Sequence, residues 1–76
     1  MLTTGDLVKI QDSAFKYFEN KLAIVDHIAH REEYFDNDGK LQERLYYLVT
    51  LAGTDVSHIL PEHDLILVSK AKNKND

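Results

Sequence analysis

The amino-acid sequence predicts an all-β fold in which five strands enclose one small core. Three observations carry this. Apolar, strand-like blocks bracket the chain: Thr4-Gly5-Asp6-Leu7-Val8-Lys9-Ile10 near the start and Leu60-Pro61-Glu62-His63-Asp64-Leu65-Ile66-Leu67-Val68 near the end. The stretch Leu45-Tyr46-Tyr47-Leu48-Val49-Thr50-Leu51 is aromatic and β-branched, a composition that suits a pleated, half-buried surface. Turn signals separate these blocks, the strongest being Asp36-Asn37-Asp38-Gly39.

The first strand is expected over about 6–11, with Val8 and Ile10 on one face and Lys9 and Gln11 on the other. A loop follows, in which Asn20 suits a left-handed turn position. The second strand is expected over about 21–29 and the third over about 43–51, joined by the hairpin at Gly39. Gly53-Thr54-Asp55 then supplies a tight turn into a short fourth strand at about 55–60. Pro61 cannot donate to a ladder and marks that strand's end. A turn of 3₁₀ helix at 61–64 leads to the last strand at about 65–69. The expected core is Val8, Ile10, Ala23, Val25, Tyr47, Val49, Leu51, Ile59, Leu65 and Leu67.

One pattern competes with this reading. Phe15, Phe18, Leu22, Val25 and Ala29 recur at helical spacing, and Ser13 could cap a helix there. A helix over about 14–33 packed on a small antiparallel sheet would make the fold α+β. The strand reading is preferred because Leu22-Ala23-Ile24-Val25 is apolar on every side and Asn20 interrupts the stripe.

At 76 residues the chain makes one domain, assigned to 1–69, with a flexible lysine-rich tail at 70–76. It has no cysteine, which excludes disulfide and thiolate chemistry and fits a reducing cytoplasm. It has no apolar run of transmembrane length and no basic leader, so a soluble cytoplasmic protein is expected. The net charge is −4. Residues 1–69 hold six basic and twelve acidic side chains, a net of −6. An acidic body repels phosphate, because sequence-independent affinity for nucleic acid comes mainly from Lys and Arg.

The order of these features resembles a small SH3-like barrel. The matching elements are the Gly-Asp-Leu-Val-Lys-Ile start at Gly5, the strand carrying Ala23 and Val25, the acidic hairpin, the strand carrying Tyr47, Val49 and Leu51, and Pro61-Glu62-His63-Asp64-Leu65 before the last strand. The resemblance covers about residues 5–68. It implies first and last strands that lie side by side and a 3₁₀ turn before the last one. Signalling SH3 domains carry a binding-groove tryptophan that this chain lacks, so proline-rich recognition is not implied. KOW-type modules share the Gly-x-x-Val start but usually have glycine at the position of Ala23 and are basic. The pattern is most similar to short bacterial, phage or plasmid proteins with SH3-like barrels.

For function, the aromatic residues are the most informative. A barrel this small cannot bury all seven, and the resemblance places the first loop and the second hairpin beside the usual ligand groove. Tyr17, Phe18, Tyr34 and Phe35 are therefore the expected binding residues of a non-catalytic module that contacts a protein, since Tyr and Phe are enriched at interfaces. The alternative is a KOW-like nucleic-acid accessory using Lys16, Lys21 and the tail. No catalytic residues, metal ligands or cofactors are expected. Ser13, Ser57 and Ser69 stand in no nucleophile–base context. His27, His30, His58 and His63 match no metal-binding spacing, and the position of the calcium-loop glutamate, counted from Asp36, is Tyr47.

Overall fold

The computed structural model describes residues 1–11 and 16–72. Five strands form one antiparallel sheet: β1 (Leu7–Ile10), β2 (Leu22–Phe35), β3 (Leu41–Leu51), β4 (Ser57–Pro61) and β5 (Leu65–Ser69). Short 3₁₀ turns at Lys16–Phe18 and Glu62–Asp64 precede β2 and β5. The described residues contain no α-helix, so the α+β alternative fails where it can be read: residues 22–33 of the proposed helix are strand. Ser13 and Phe15, which helped to suggest that helix, lie outside the described residues, as does the tail from Asn73 onward. Asn20 takes the left-handed conformation at φ 65° and donates its N–H to Ile10 O at 2.8 Å, which turns the chain from the loop into β2.

The strand order is β4-β3-β2-β1-β5. The first and last strands are paired, with Val8 opposite Leu67 and Ile10 opposite Leu65. Among the described residues no ladder joins β4 to β5, so the sheet is open and these two strands are its edges. One face carries the core of Val8, Ile10, Ala23, Val25, Leu45, Tyr47, Val49, Leu51, Leu60 and Leu65. Two expected core residues change place. Ile59 is half exposed and Leu60 is buried, because Leu60 is the cross-strand partner of the inward-facing Tyr47 and must share its face. Leu67 lies opposite buried Val8, but the edge position of β5 leaves it 43% exposed.

β2 is longer than its sequence suggests. Two register shifts, between Val25 and His27 and between Ile28 and His30, bend it and change its alternation, so that Ile28 rather than His27 packs on the core. Beyond them β2 and β3 continue as a two-stranded arm whose residues are mostly exposed. Segment 30–33 is polar on both faces and gives no period-2 signal. It is held by the ladder itself, by ion pairs Arg31–Glu43 (3.5 Å) and Arg44–Glu32 (3.6 Å), and by the Arg44 guanidinium above the Tyr34 ring at 4.9 Å. Exposed pairs of this kind add only about 0.2–1 kcal/mol each, so the arm rests on its hydrogen bonds and its turn.

Candidate functional site

The fold places the expected aromatic residues in two separate regions. Tyr17 and Phe18 sit in the 3₁₀ turn before β2. Phe18 is half buried against the core and stacks on His58 of β4 (4.9 Å, 12°), while Tyr17 meets the Phe18 ring edge-on at 5.2 Å and is 65% exposed. The Lys21 ammonium lies 5.1 Å from the centre of the Tyr17 ring. Tyr17, Lys21, Leu22, Leu51, Ala52 and Thr54 line an open groove of about 380 Å³ at this end of the sheet.

Tyr34 and Phe35 end the same strand that Leu22 begins, roughly 40 Å away along an extended backbone. Phe35 is 73% exposed and faces Leu41, which is 58% exposed, as the last cross-strand pair of the arm. Tyr34 borders a smaller hollow of about 200 Å³ with Glu43, Arg44, Leu45, Glu62 and His63. Leu41 was not singled out from sequence. The signal that could have found it is the hairpin register, which sets it opposite Phe35 once the loop is taken as Asp36–Lys40, centred on Asp38.

The hairpin turn uses its acidic residues internally. The Asp36 carboxylate accepts the N–H groups of Asp38 (2.9 Å) and Lys40 (3.0 Å) on Oδ1 and the Gln42 side-chain amide on Oδ2 (2.9 Å). The Lys40 N–H bond is the main reason its carboxyl is held below the ordinary range, with the Gln42 bond adding to it. No group of three or more His, Cys, Asp or Glu side chains among the described residues is arranged to hold a metal ion. The four histidines are dispersed: His27 and His30 on β2, His58 under the Phe18 ring, and His63 in the second 3₁₀ turn, 3.4 Å from Asp64.

A buried carboxylate that the sequence did not reveal ties both ends of the described chain together. Asp6 is fully buried. It accepts the Thr3 N–H (2.9 Å) and the Lys70 ammonium (3.3 Å) on Oδ2, and the Ala71 N–H (2.7 Å) and Thr3 hydroxyl (3.2 Å) on Oδ1. Burial alone would raise its pKa, but the bonds from Ala71, Thr3 and Lys70 outweigh it and bring it down to about 2. The residue before Thr3 is held as well: Leu2 donates its N–H to the Tyr47 hydroxyl (3.3 Å), which in turn donates to Glu62 Oε2 (3.0 Å). Burial, with the Glu62 bond second, raises the phenol's pKa. These groups form a structural clasp, since all their partners are internal. No helix among the described residues is long and apolar enough to cross a membrane. No family model, curated protein or solved structure matches the chain.

Proposed function

We propose that the chain is a non-catalytic binding module that contacts a protein through exposed aromatic residues, on a scaffold that curls as an SH3-like barrel. The barrel reading is supported by the pairing of first and last strands, the single buried face, the bends in β2 and the 3₁₀ turn before β5. The binding reading rests on one observation above the others. Phe35 and Leu41 stand exposed as the last cross-strand pair of a ribbon that extends beyond the core. Apolar side chains presented beyond the core in this way fit a partner's pocket, where a buried aromatic anchor carries most of an interface's energy. The groove beside Tyr17 offers a second contact, bounded by Lys21.

The test is retention of binding partners by the immobilised chain, compared with the Phe35→Ala/Leu41→Ala variant. A specific partner lost from the variant, with an unchanged thermal midpoint, is the expected result. A partner held equally by the variant and by Tyr17→Ala/Tyr34→Ala/Phe35→Ala would defeat the aromatic reading. Binding to short oligonucleotides that weakens steeply with salt would favour the KOW-like nucleic-acid role instead.

A further inference from the structure

We propose, resting on the protein-binding role above, that the groove beside Tyr17 takes the C-terminal residue of a partner chain. That residue is apolar. Its side chain lies on Leu22 and Ala52, and its α-carboxylate meets the Lys21 ammonium. The groove holds about 380 Å³, the scale of one or two side chains, and Leu51 closes its floor. Leu22 remains 45% exposed at its wall, although it begins a core strand. Apolar surface left open in a concave site, with one charge beside it, is the usual composition of a ligand site.

The polar groups of the lining decide the chemistry of the occupant. The N–H groups of Lys21, Ala52 and Thr54 are spent inside the fold, on Phe18 O (3.2 Å), Leu22 O (3.0 Å) and Leu51 O (3.1 Å). The Thr54 hydroxyl donates to Leu51 O (3.0 Å) and accepts the Val56 N–H (3.1 Å). Lys21 carries the one formal charge of the lining. Among the described residues its ammonium meets no carboxylate and lies over the Tyr17 ring at 5.1 Å, whereas Lys16 is paired with Glu19 and Lys70 with Asp6. The complementary ligand is therefore an apolar body with one negative charge. Lys21 and Leu22 are consecutive, so the charge and the apolar seat lie within one residue's reach. In a chain terminus the carboxylate and the side chain share one Cα, so a single residue meets both. An internal Asp or Glu would bring its charge with further peptide groups, which the spent N–H groups leave unpaired. The Tyr17 ring, 65% exposed, continues the wall beyond the groove and offers contact to the residues that precede the terminus. A small free carboxylate would leave that ring uncovered.

The probes are N-acetyl-glycyl-leucine, its C-terminal amide and hexanoate, each titrated into the full chain and followed by NMR shifts. So small a contact gives a dissociation constant on the order of 1–10 mM, so the titrations run to roughly 50 mM. The acid is expected to shift Leu22, Ala52 and Thr54 saturably. The amide should bind about two- to fivefold more weakly, the range of an exposed ion pair, and hexanoate should also bind more weakly than the acid. Lys21→Gln should erase the preference for acid over amide, Lys21→Arg should keep it, and Lys16→Gln should leave it unchanged. Phe35→Ala/Leu41→Ala, at the far end of β2, should not alter these titrations, so a failure at the groove is distinct from a failure of the ribbon contact. No saturable shift at the groove by the acid overturns the proposal. So does equal binding of acid and amide, a preference that survives Lys21→Gln, or hexanoate bound as tightly as the acid.

Discussion

Replacing Asp6 by asparagine keeps the side-chain shape but turns an amide N–H₂ toward donors that the second carboxylate oxygen accepted. Leaving one buried donor facing another costs about 1–3 kcal/mol, so the urea midpoint of Asp6→Asn should fall accordingly. The same carboxylate sets a pH dependence. Its folded-state pKa, about 2, lies below the ordinary 3.8, so its stabilising contribution is fully present above about pH 4 and is lost as pH falls from there through 2. Wild type should lose stability across that window by more than Asp6→Asn does; equal losses in urea titrations at pH 5 and pH 2 would remove Asp6 as the cause. Gly5 is fixed by the same clasp. Its φ is +91°, and a Cβ there would come within 3.1 Å of the Ala71 Cβ. Gly5→Ala should therefore destabilise by roughly 1–2 kcal/mol, measured by thermal unfolding.

At the scale of the element, Val49, with 1% of its surface exposed, pairs with Val25 in the core segment of the β2–β3 ladder. Val49→Ala should cost about 2 kcal/mol through lost burial and a cavity. β4 gives a sharper comparison. Leu60→Ala should cost about 3 kcal/mol and Ile59→Ala less than 1, because only Leu60 lies on the buried face. A reversed order in chemical denaturation would mean that the register of β4 is wrong. The sequence already contained most of the elements. Glycine and asparagine positions placed the turns, and Asn20 adopts the positive φ its context suggested. The phase of β4 was not legible, because Ile59 and Leu60 are adjacent and equally apolar; only pairing with Tyr47 distinguishes them. The extension of β2 was hidden for a related reason. His30-Arg31-Glu32-Glu33 buries no face, and its strand conformation comes from a partner strand that local sequence does not show.

Across the whole molecule, core and arm separate. Among the described residues, the buried ones all lie within β1, β4, the first residue of β5, the β2 segment 23–25 and the β3 segment 45–51, apart from Asp6 and Asp64. Replacing residues 33–43 by Asn-Gly, a favoured two-residue hairpin turn, should leave the thermal midpoint within a few degrees of wild type while removing Phe35 and Leu41. A large loss of stability would show that the arm supports the core. The candidate site was legible only residue by residue. Tyr17, Phe18, Tyr34 and Phe35 stood out as surplus aromatics, but their separation depends on the length of β2, which composition does not report. The Asp6 clasp was not legible at all, because it joins residues far apart in sequence through one side chain.

That clasp also makes the domain suitable for transplantation. Thr3 and Ala71 are held by the two oxygens of a single carboxylate, so the chain enters and leaves the fold at one point. A host protein could carry this domain spliced into a surface loop without its own loop ends being forced apart, and a short bridge from the tail to the start would allow the chain to be reopened elsewhere, for example at the Gly53 turn.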